Sequence, residues 1–177
     1  MTIHRMTRLL GISIATALLC AWAAPYAAAE DDKQDPNAFE EAPWQLPAAP
    51  QDADLLPFYM SLTGQSFAID AKSVTVDKDG VARYTMVATS RGGAKNVSYE
   101  GLRCATMERK LYAFGHPDGT WAKARDPQWM PISTQGVAIQ HADLAKEFIC
   151  KDSQIPGKPQ NIINDLRYHR TPFSPQT

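Results

Sequence analysis

Glu100 is the residue in this chain with the most chemistry within reach. It lies in Ser98-Tyr99-Glu100-Gly101-Leu102-Arg103-Cys104, with Arg83 and Arg109 on the flanking segments. A carboxylate on a covered strand face needs a donor, and an arginine on a neighbouring strand supplies one. Arg83 and Arg109 are therefore the expected partners, in a structural ion pair. The competing reading is a hydrolase- or lyase-like enzyme that uses Glu100, with a raised pKa, beside an arginine or a histidine. Nothing else in the sequence supports it: no GxSxG elbow occurs, and no serine sits between strand and helix patterns with a base in prospect.

His116, His141 and His169 are far apart and match neither HExxH nor zinc-ligand spacing, so each reads as a surface histidine. No metal and no cofactor is expected. Arg91-Gly92-Gly93-Ala94-Lys95-Asn96 could cradle an anion through backbone N–H groups. It lacks the phosphate-loop spacing and no helix pattern follows it, so a hairpin turn with solvated charges is expected. Arg91, Asn96, Tyr99, Arg103 and Trp121 are of types that interfaces favour and could line one concave patch for a ligand or partner. On a strand, Glu100 shares a face with Cys104 while Tyr99 and Arg103 point the other way. Residues on opposite faces cannot act on one substrate.

Elements must position these groups. Tyr84, Met86 and Ala88 alternate with Arg83, Thr85, Val87 and Thr89, a strand period. Val97–Cys104 continues it with two mixed faces, as expected of a strand partly covered on both sides. Phe67–Asp70 and Ser73–Val76 are short strand candidates, and Asp77-Lys78-Asp79-Gly80 signals a hairpin between Val76 and Val81. Arg109–Gly115 alternates again, and His116-Pro117-Asp118-Gly119 turns into Thr120-Trp121-Ala122. His141-Ala142-Asp143 opens a helix that Asp143 can cap, with Leu144, Ala145, Phe148 and Ile149 as its apolar stripe. Asn161–Tyr168 gives a second short helix. The expected fold is α+β: an antiparallel meander of four to six strands with one or two C-terminal helices on one face.

The run ARYTMVATSRGGAKNVSYEGLRC, followed by Arg109, Tyr112 and Trp121, resembles the cryptic neisserial protein-like family of bacterial envelope proteins. The likeness covers most of the chain after its N-terminal segment. It implies a periplasmic address and a single domain. That family has no assigned activity, so the likeness supplies no catalytic residues.

The N-terminal segment points to the same address. His4, Arg5 and Arg8 precede an apolar stretch, Leu9–Ala23, and Ala27-Ala28-Ala29 forms a small-residue cleavage site before Glu30. Residues 1–29 therefore read as a signal peptide. Cys20 as a lipid anchor fits poorly, because Leu18 and Leu19 stand where small side chains are wanted. After removal, Cys104 and Cys150 remain, and an even pair in an oxidising compartment reads as a structural disulfide. Residues 30–54 form an acidic Pro/Ala-rich leader in which Phe39, Trp44 and Leu46 could dock as an extended arm. Residues 55–170 form the globular domain and 171–177 a frayed tail. Arg5 and Arg8 are the only formal charges in the first 29 residues, so the remainder stands two units below the whole chain's −1. Such a balance lacks the basic footprint of a nucleic-acid binder. The expected function is a non-catalytic, envelope-associated module that binds a protein, peptide or small ligand, with no transmembrane span after signal removal.

Overall fold

Among the described residues, alternating, β-branched segments separated by tight turns produce one antiparallel sheet of eight strands. The computed structural model describes residues 39–169; the signal segment, its cleavage site, the first part of the leader and the tail lie outside them. The strands are β1 (Leu55–Met60), β2 (Ser66–Asp70), β3 (Thr75–Val76) and β4 (Val81–Thr89). They continue as β5 (Lys95–Arg103), β6 (Glu108–Gly115), β7 (Trp121–Lys123) and β8 (Met130–Pro131). The neighbour order is β1-β2-β4-β5-β6-β7, while β3 pairs with the start of β4 and β8 with the start of β6. β3 and β8 thus extend the rows of β2 and β7, leaving the expected meander in six rows. Gly80, at φ +71°, closes the Asp77–Gly80 turn between β3 and β4.

One face of the sheet packs against the C-terminal helices. Tyr84, Met86, Leu102 and Cys104 meet Leu144, Ala145, Phe148 and Ile149 of the first helical segment, and Ile162 and Leu166 of the second, in the main core. α1 (Ile139–Leu144) runs directly into a single π turn, Ala145–Ile149, and α2 spans Pro159–Tyr168. The helix begins at Ile139 after a 3-10 turn, so Asp143 lies inside it and does not cap it, contrary to the expectation. The wide π turn carries the chain to Cys150, whose N–H donates to Ala145 O at 2.7 Å. There Cys150 is bonded to Cys104 at the end of β5, the pairing expected from the sequence.

The other face is covered by the leader's second half. Residues 39–51 form no regular element, yet Trp44 and Leu46 pack with Tyr99, Tyr112, Ala113 and Trp121 in a second, smaller core. The compact unit starts at Phe39. β6 carries a bulge at Tyr112, since Tyr99 pairs with Ala113 and Glu100 with Leu111. That extra residue aims the Tyr112 ring at the arm.

Candidate functional site

Glu100 lies between Tyr84 on β4 and Leu111 on β6, facing α1. Its Oε2 is 2.9 Å from His141 Nε2, and its Oε1 accepts a 2.6 Å bond from Ser98 Oγ. His141 Nδ1 is 3.3 Å from the Ala138 carbonyl, so both ring nitrogens face oxygen. The Glu100 and His141 side chains are only 6% and 7% exposed. Burial works against the Glu100 charge. The His141 bond and charge, the Ser98 bond and the Arg109 charge outweigh it and hold the carboxyl below its ordinary value.

A carboxylate held in this way is a weak base. The order is also wrong for a nucleophilic triad, which needs the imidazole against the hydroxyl and the carboxylate behind it. Here the carboxylate sits in the middle and accepts from both sides, so His141 is not placed to take the Ser98 proton.

The expected pairing of Glu100 with Arg83 does not form. Arg83 is opposite Gly101 in the β4–β5 register, which puts its side chain on the arm face, away from Glu100. It is fully buried there. Nη2 lies 2.6 Å from Asp79 Oδ2, Nη1 lies 3.0 Å from Asp77 Oδ2, and Nη2 donates to Ala42 O at 3.4 Å. Arg109 is opposite Leu102, on the Glu100 face, and contributes its charge. The surface reading of His141 is likewise corrected, for it is buried on the sheet side of α1. A signal for it exists: His141, Leu144, Ala145 and Phe148 stand at i, i+3, i+4 and i+7.

The proposed patch is divided by the arm. Tyr99 is buried, its ring 6.2 Å from Trp121 and 6.0 Å from Trp44, which also lies 4.5 Å from Tyr112. Trp121 Nε1 donates to Pro47 O at 2.9 Å. The Arg103 guanidinium sits 3.5 Å from the centre of the Phe39 ring. Glu41 anchors the arm, accepting from Lys110 Nζ at 2.6 Å and from Tyr112 Oη at 2.7 Å. Arg91 and Asn96 lie apart from these, exposed about the β4–β5 turn. Sequence reasoning missed Glu41, Lys110 and Tyr112 as members of this network.

An open cleft of about 650 Å³ remains where the arm leaves the sheet. Ala49 and Pro50 form one wall, the His116–Gly119 turn another, and Val87 and Val97 line it from the sheet. Lys95, ion-paired with Asp52, and His116 and Asp118 place charges of both signs around it. Thr120 donates to Asp118 through Oγ1 and N–H at 2.7 and 2.9 Å, and these bonds hold that carboxyl below its ordinary value.

Among the described residues, no three His, Cys, Asp or Glu side chains are grouped to hold a metal, and no helix is long and apolar enough to cross a membrane. The class defined here is an antiparallel sheet closed on one face by a disulfide-tied helical layer and on the other by its own arm. The chain belongs to the CNP1-like family, which it matches over residues 34–167. No curated protein and no solved structure matches it.

Proposed function

We propose that this protein is exported to the periplasm and works there as a non-catalytic module that holds a small polar ligand or peptide in the cleft beside the arm. One observation carries the reading: the cleft and the buried acid–base pair lie on opposite faces of the sheet. The cleft lining includes neither Glu100 nor His141, and both oxygens of Glu100 are already engaged. Charges of both signs over an apolar floor suit a ligand that is itself polar and mixed in charge. Export is supported by the basic start, apolar stretch and Ala27-Ala28-Ala29 of the N-terminus, and by the cystine, which persists in an oxidising compartment.

Native mass spectrometry of protein purified from the periplasmic fraction tests this. The expected result is a chain beginning at Glu30, with one disulfide and an added mass that Lys95→Ala loses. A parent with no added mass would contradict the binding reading, and an unprocessed chain with free thiols would contradict export. A second reading, an enzyme using Glu100 with His141, is favoured by their 2.9 Å approach alone; it requires α1 to open before any substrate reaches the pair.

A further inference from the structure

Glu41-Ala42-Pro43-Trp44-Gln45-Leu46-Pro47 lies on the sheet in the manner of a bound peptide. Among the described residues it joins no strand, and its backbone bonds run to side chains. Ala42 N–H donates to Asp79 Oδ2 at 2.8 Å, Ala42 O accepts from Arg83, and Pro47 O accepts from the Trp121 indole. The Trp44 ring enters a slot walled by Tyr99 and Tyr112. Aromatic grooves bind proline-rich segments by the same means, through ring packing and donors aimed at the carbonyls of a chain that proline has already extended. Charge matches as well. Glu41 meets Lys110 and lies 3.6 Å from Arg83, and Lys123 Nζ lies 6.0 Å from the Trp44 ring.

We propose that this face is a recognition groove for an acidic, proline-flanked aromatic segment of another protein, and that the arm is its resident occupant in cis. The arm joins β1 through Ala48–Gln51 and the 3-10 turn Asp52–Asp54, a stretch outside the strand ladder, so release breaks side-chain contacts and leaves the sheet intact. A partner segment competes with the arm, and its apparent affinity is reduced by the fraction of time the groove is closed. The arm also walls the cleft through Ala49 and Pro50, but Lys95 does not line the groove, so Lys95→Ala separates the two proposals: it should empty the cleft and leave binding of an arm-like segment unchanged.

The probe is a labelled peptide of residues 39–50, titrated into the full chain and into Trp44→Ala. Weakening the resident arm should tighten binding of the peptide by on the order of tenfold over the parent. The same peptide with its own tryptophan replaced by alanine should lose that binding. A folded Trp44→Ala protein that takes no peptide would overturn the proposal. So would a parent that forms dimers by exchanging arms, since the groove would then serve a second copy. Hydrogen exchange on the parent decides the matter if the variant fails to fold: the Ala42 amide should exchange well before those in the middle of β4 and β5. Equal protection for arm and sheet would overturn it.

Discussion

Arg83 has none of its side chain exposed, and a guanidinium there is tolerated because carboxylates and a carbonyl meet Nη1 and Nη2, although Nε has no hydrogen-bond partner. Asp79 does the most, since its carboxylate also accepts from the N–H groups of Ala42 and Val81. Burial works against the Asp79 charge, but these bonds and the Arg83 charge hold its carboxyl below the ordinary value. Glu41 behaves likewise: burial opposes its charge, and Lys110, Tyr112 and Arg83 outweigh burial. With Glu100 and Asp118, four carboxyls have depressed folded values. Each contributes stability that is complete above its unfolded value, 4.5 for glutamate and 3.8 for aspartate, and lost as pH falls through the folded one. Asp70 runs the other way, because burial raises it and its charge disfavours folding above the acid range. Four outweigh one, so the urea midpoint should hold from neutral pH to about pH 5 and fall below about pH 4. A midpoint that rises between those acid values would contradict this assignment.

Among the elements, the β5–β6 pair decides whether the arm can dock. Gly101 faces the arm, and a Cβ there would come within 2.5 Å of Tyr112 Oη. Tyr112 is already fixed by the bulge and by Glu41, so it has to move, which releases the Glu41 bond. Gly101→Ala should therefore cost about 1–3 kcal/mol in urea unfolding and change the fluorescence of Trp44. A variant as stable as the parent would show that the arm does not depend on this slot. The strands themselves were legible: period-2 runs and the Asp77–Gly80 turn placed β4, β5 and much of β6. β1 is not legible as a strand, because Pro57 beside its bulge lacks an N–H and breaks the pattern. The covering of the second face was legible only as three apolar residues, Phe39, Trp44 and Leu46, in a polar leader. What they cover depends on strand register, which no local window contains. The burial of His141 has a local sign, its place at i on the stripe that Leu144, Ala145 and Phe148 continue, and a helix capped by Asp143 would leave it outside that stripe.

At the largest scale, residues 39–169 form a single sheet dressed on both sides, tied across its larger core by Cys104–Cys150. The bond spans 46 residues of chain, for which the loop-entropy model gives about 4 kcal/mol. That is a large part of the roughly 5–15 kcal/mol a domain usually holds. On the proposed reading, the buried groups serve the fold and the open surfaces serve partners. The claim is sharpest at Glu100, the residue that an enzyme reading would need. Glu100 accepts from Ser98 and lies 2.9 Å from His141, so replacing its carboxylate leaves a buried hydrogen-bonding group short of a partner, at a cost of about 1–3 kcal/mol. The direct measurement sets the melting temperature of Glu100→Gln beside a broad hydrolase and lyase screen of parent and variant. The account predicts a variant that melts several degrees lower and a parent that turns nothing over. A variant that melts like the parent, and has lost a turnover the parent shows, would contradict it.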